Sequence, residues 1–125
     1  MGRMAEPATH PRMDGHVTTM LRSIEHPGGK VGVHYRAGDL EVVVVEVDGG
    51  QTLTDSTLWG RSSWHLVLQG QALFRAGSAR WELLPEESLS LDSGTPYSIT
   101  NPTPERLRVL SLVRGAGAIE TDGRL

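Results

Sequence analysis

"SSWHLVLQGQALFRAGSARWELLPEESLSLDSGTPYSITN", residues 62 to 101, decides the fold. Short apolar runs alternate here with "QGQ" at 69 to 71, "AGS" at 76 to 78, "PEE" at 85 to 87 and "SGTP" at 93 to 96. Gly supplies the left-handed backbone that tight turns need, and Pro and Asn end regular structure. The runs between these signals are too short for helices, and their apolar residues recur with period two. The spacing therefore predicts strands at about 63–68, 71–76, 79–84, 88–91 and 96–100.

The same grammar extends outward. "PGG" at 27 to 29, "AGD" at 37 to 39 and "DGG" at 48 to 50 separate expected strands at about 17–24, 30–36 and 40–47. Downstream, "NPTPE" at 101 to 105 precedes a last one at 106–113. "HVTTMLRSIEH" is the one stretch with some helical character, and its paired threonines favour a strand. Many short strands with regular turns give an all-β sandwich or barrel, and the missing Cys-Trp-Cys pattern argues against an immunoglobulin-type sandwich. "EVVVVEV", 41 to 47, is almost continuously apolar and so predicts cover on both faces, by the core and by a second sheet or a partner subunit. A homodimer is the expectation.

With 125 residues the chain suits one domain, expected at 17–114 between a flexible N-terminal segment, 1–16, and a tail, 115–125, neither with any periodicity. Its 12 basic residues against 15 acidic ones give a net charge of -3, without the basic cluster that traces a phosphate backbone, so nucleic acid is not an expected partner. No apolar run of signal-peptide or membrane-spanning length is present, and a cytoplasmic location without membrane contact is expected. The absence of cysteine excludes disulfides, thiolate metal sites and cysteine nucleophiles. No Walker-type loop or nucleophile elbow is present.

From Gly50 to Asn101 the chain resembles the small single-domain cupins, double-stranded β-helix (jelly-roll) barrels with two metal-binding motifs. "GQTLTDSTLWGRSSWHLVLQG", 50 to 70, keeps the frame of the first motif, and "DSGTPYSITN" keeps Gly94 and Asn101 at the spacing of the second. The resemblance covers about half of the chain and implies the barrel. It also implies metal ligands at four positions, which here fall on Ser56, Leu58, Ser63 and Tyr97. Anchoring the loop on Gly49 instead moves the first two to Asp55 and Thr57, and this register stays open. Metal sites of this kind take three or more imidazole or carboxylate ligands, so neither register predicts a bound metal, and no other cofactor is expected.

Strand alternation then suggests what lines the barrel. If Ser63 points inward, His65 and Val67 follow it, Trp64, Leu66 and Leu68 face out, and Tyr97 and Ile99 point inward on their own strand. The candidate ligand-binding set is Ser56, Leu58, Trp59, Ser63, His65, Val67, Tyr97 and Ile99, mostly apolar with a few polar groups. Trp59 is the tryptophan placed at the rim, with Arg61 beside it for an anionic ligand; Trp64 and Trp81 suit packing. His34 suits the barrel or an interface, and His10, His16 and His26 suit the surface.

His65 is the histidine in a strongly apolar run. It suits either a structural role, hydrogen-bonded to Ser or Tyr, or proton transfer together with Tyr97. The first expectation for function is a metal-free cupin-like protein that binds a small organic ligand or serves an accessory role. The second is a metal-independent isomerase, epimerase or cyclase with His65 and Tyr97 as catalytic groups. The third, a metal-dependent dioxygenase or isomerase, requires atypical ligands such as His34, His65 and Asp55.

Overall fold

The computed structural model describes residues 15–54 and 61–115. Strands β1 (Arg22–His26), β2 (Gly29–Ala37), β3 (Leu40–Val47), β4 (Thr52–Leu53) and β5 (Ser62–Gln69) come first. They are followed by β6 (Ala72–Ala76), β7 (Ala79–Leu83), β8 (Ser88–Leu91), β9 (Ser98–Thr100) and β10 (Leu107–Arg114). The described residues contain no helix. The strands form two sheets, a larger one in the order β1-β2-β3-β10-β5-β8 and a smaller one in the order β4-β9-β6-β7. Every pairing is antiparallel. The non-sequential neighbours, β10 between β3 and β5 and β9 between β4 and β6, make this a jelly roll.

The inner face of the larger sheet is ordered in rows by its register. Leu107, Val47, Gly29 and His26 form one row, and Val67, Val109, Val45, Val31 and Ile24 the next. Then come Leu89, His65, Ser111, Val43, Val33 and Arg22, and finally Leu91, Ser63, Val113, Glu41 and Arg36. Leu53, Ala72, Phe74, Leu83, Tyr97 and Ile99 from the smaller sheet and its loops complete the core. Phe74, Ile99 and Leu107 are its largest fully buried apolar side chains, worth about 1.5–3 kcal/mol each in transfer from water. Polar side chains gather in the last two rows, at one end of the barrel.

Two turns carry the frame that the motifs suggested. Gly94 has φ 82°, the left-handed conformation that an L side chain adopts with strain. Asn101 is fully buried and works as a latch. Its Nδ2 donates to the carbonyls of Val47 (3.0 Å) and Glu105 (2.6 Å), and its Oδ1 accepts from Thr103 N–H and Thr103 Oγ1, both at 3.0 Å. The segment "NPTPE" is thereby pinned to the end of β3.

The expected strands at 30–36, 40–47, 63–68, 71–76, 79–84, 88–91, 96–100 and 106–113 all occur, with ends shifted by a residue or two. The first differs: 17–20 are irregular, and the strand is Arg22–His26, ending at the turn "PGG". Pairing with β2 sets that boundary, since Arg22 faces Val33 and His26 faces Gly29. The two-residue β4 was not expected, because it exists only through its pairing with Ile99 and Thr100 on β9. Residues 1–14 of the N-terminal segment and 116–125 of the tail lie outside the described residues.

Candidate functional site

His65 sits midway along β5 with its ring in the core and no exposed surface. Two strand periodicities give it partners. Ser111 is its direct cross-strand neighbour on β10, and its Oγ lies 2.6 Å from His65 Nδ1. Ser63, two residues earlier on the same face of β5, places its Oγ 2.9 Å from Nε2. A neutral imidazole has one N–H donor and one acceptor nitrogen, and a hydroxyl serves either. Both ring nitrogens are thus engaged whichever carries the proton. Burial penalises the imidazolium and lowers the ring's pKa from 6.5 to about 4.

The faces of the ring are closed by aromatic neighbours. Phe74 lies 4.9 Å away between centroids, Tyr97 lies 5.2 Å away edge-on, and Tyr97 stacks on Phe74 at 6.2 Å. Such contacts add about 0.5–1.5 kcal/mol each beyond simple burial. Sequence reasoning placed His65 and Tyr97 together, and the structure does so too. It missed Ser111 and Phe74, and Ser111 lies 46 residues from His65, out of reach of any local pattern.

Of the candidate set, Ser63, His65, Val67, Tyr97 and Ile99 are buried on the inner side, and Trp64, Leu66 and Leu68 are the less buried, outward residues of β5. Ser56, Leu58 and Trp59 lie outside the described residues, as do Asp55 and Thr57. Trp81 packs against the core from β7. His34 is exposed at an irregularity of β2, where the register shifts between Val33 and Tyr35, so it does not converge on buried His65.

Among the described residues none fits the metal that the resemblance to cupins implies, and the first two of its four positions lie outside the described residues. His65 has both nitrogens committed to serine hydroxyls, and the corresponding ligand positions in the described part are Ser63 and Tyr97. Among the described residues no three His, Cys, Asp or Glu side chains stand close enough together to hold an ion.

Above His65 the end of the barrel is charged. Glu41 accepts from Arg36 Nε (2.8 Å) on Oε2 and from Arg61 Nη1 (3.0 Å) on Oε1. Burial opposes its ionisation, but the hydrogen bonds and charges of Arg61 and Arg36 outweigh that and hold the carboxyl below its usual range. Arg22 and Arg61 also border a small cavity beneath this cluster.

No protein-family model and no curated protein matches the chain. Solved structures do. The cupin domain of Schizosaccharomyces pombe Cnp3 superposes with a TM-score of 0.64 at 16% identity, over 74% of this chain and 65% of that one. A cupin 2 conserved barrel domain protein from Salinispora arenicola gives 0.62 at 15%, over 76% and 82%. The DMSP lyase DddQ from Ruegeria pomeroyi gives 0.54 at 22%, over 63% of this chain and only 40% of the lyase. With the sheets and their register, these likenesses define the chain as a small cupin-like jelly-roll barrel. The fold is shared by enzymes and by proteins of other kinds, and so does not select an activity.

Proposed function

We propose that this chain is a metal-free, cupin-like binding or accessory protein of the cytoplasm that takes a small organic ligand at the polar end of its barrel and acts as a homodimer. The observation that carries the reading is the pairing of both His65 nitrogens with Ser63 and Ser111. Among the described residues it leaves no free imidazole in the interior for a metal, while polar side chains collect at one end. Among the described residues no helix is long and apolar enough to cross a membrane.

The dimer rests on the outer face of the larger sheet. Trp64, Leu112, Val42 and Tyr35 form one apolar row across it, and Leu66, Leu110 and Val44 another. All seven are partly or fully accessible in the single chain. A second copy of the same face covers them by two-fold symmetry.

The metal-independent isomerase, epimerase or cyclase reading has the edge-on contact of His65 and Tyr97 in its favour. It requires a substrate to displace a serine hydroxyl from a ring nitrogen, and a ring with pKa about 4 is a weak base near neutrality.

The test is native mass spectrometry and elemental analysis of purified protein before and after exhaustive chelation. A bound organic molecule that survives chelation supports the reading. A transition metal at one per chain, retained through histidine, overturns it.

A further inference from the structure

Sulfur in this chain is confined to its first 20 residues. There is no cysteine, and the four methionines are Met1, Met4, Met13 and Met20. Thiols and thioethers are the side chains that peroxides oxidise under mild conditions, so the strands, from Arg22 onward, offer a peroxide no such target. Met20 is the methionine among the described residues, and it touches the barrel.

The contact depends on a glycine. Gly32 lies within β2 on the outer face of the larger sheet, in the row of Leu66, Leu110 and Val44, with Ser23 beyond it on β1. A Cβ added at Gly32 would stand 2.6 Å from Met20 Sδ and 3.7 Å from Met20 Cγ. The thioether therefore fills the notch that the missing side chain leaves in the row. His34 Nε2, 3.4 Å from the same point, walls the notch along the strand. Gly32 is buried although it faces outward, as this cover requires.

Little else holds the segment that carries Met20. Residues 15–20 are irregular and exposed; Val17 is fully so, and Met20 keeps 41% of its surface. Among the described residues, the one backbone hydrogen bond from 15–21 to the sheet runs from Leu21 N–H to the Val33 carbonyl, 2.7 Å. The sulfur is thus both open to a small oxidant and part of the attachment.

We propose that Met20 is a reversible oxidation site whose sulfoxide leaves the Gly32 notch and releases residues 15–21 from β2. The oxidant is a hydroperoxide. Its O–O bond breaks, one oxygen bonds to Sδ, and the other leaves as the alcohol or water with the proton; sulfur loses two electrons and the peroxide gains them. Oxidation turns a flexible apolar side chain into a polar one. The notch cannot serve the new oxygen, because Gly32 lies between two paired strands and its backbone groups are committed to the ladder. This goes beyond the binding reading above and does not rest on it.

The experiment is amide hydrogen exchange of the full chain, read by ¹H–¹⁵N NMR before hydrogen peroxide treatment, after it, and after repair with methionine sulfoxide reductases of both stereospecificities; peptide mapping follows each methionine. Exchange at Leu21 is expected to rise at least tenfold on oxidation and to return on repair, with Val45 unchanged. Met20→Leu, which keeps an apolar side chain in the notch, abolishes the response although Met1, Met4 and Met13 remain oxidisable. Gly32→Ala displaces the flexible end of Met20 and speeds Leu21 exchange without any peroxide.

An unchanged Leu21 amide in protein mapped as oxidised at Met20 overturns the proposal, as does a full response in Met20→Leu. A Met20 that resists excess peroxide, or a Leu21 amide already unprotected in the native protein, does the same. Equal acceleration at Val45 also overturns it, since the event would then be unfolding of the barrel and not release of the segment.

Discussion

Acidification should destabilise this protein through His65. The folded ring resists protonation because burial penalises the cation, whereas in the unfolded chain it protonates near 6.5. Above pH 6.5 both states hold a neutral ring and the contribution to stability is complete. As pH falls from 6.5 toward about 4, the unfolded chain takes up a proton that the folded chain refuses, so stability falls with pH. One such proton is worth about 1.4 kcal/mol per pH unit, which gives about 3 kcal/mol over the whole interval and about 2 kcal/mol between pH 7 and pH 5. Urea unfolding of the native protein and of His65→Gln at both pH values measures this directly. Glutamine keeps one donor and one acceptor for Ser63 and Ser111 but does not titrate. The native protein is expected to lose about 2 kcal/mol more than the variant on going to pH 5. Equal losses in the two proteins refute the picture of a dry, neutral imidazole.

Three further outcomes are open to measurement. Asn101→Ala removes the four hydrogen bonds of the latch and takes a donor from the buried Val47 carbonyl, so it should cost about 2–4 kcal/mol in urea unfolding. Gly29→Ala should destabilise severely, because a Cβ there meets the Glu46 carbonyl of the paired strand, and a thermal melt within a degree or two of the native protein would contradict the close pairing of β2 and β3. Leu110→Lys places a charge in the outer apolar face, and sedimentation should show the dimer replaced by a folded monomer, whereas a native protein that is itself monomeric removes the basis for the interface.

Much of the fold is legible in the chain because its causes are local. Turn signals such as "AGS" and "SGTP" require particular backbone angles, and the alternation of "SSWHLVLQ" assigns Ser63, His65 and Val67 to one face whatever that face meets. Asn101 was legible as a strand exit but not as a latch, since two of its four bonds go to the carbonyls of Val47 and Glu105. The slip of β2 at His34 was not legible either. It is a property of the pairing with β3, and it carries Arg36 to the same face as Glu41. The site was read only in part for the same reason: Arg61 could be suspected as an anion partner, but its bond to Glu41 needs the strands side by side.

The sequence by itself determined an all-β chain, the positions of most strands and the inward set on β5. These follow from residue type, spacing and a period of two. Only the tertiary structure decided what the inward residues do. It gave His65 a second hydroxyl from Ser111 and a lining of Phe74 and Tyr97, and it brought Arg36 and Arg61 onto Glu41. Hydrogen bonding, desolvation and charge balance depend on distances of a few ångströms between residues far apart in the chain, and strand pairing sets those distances.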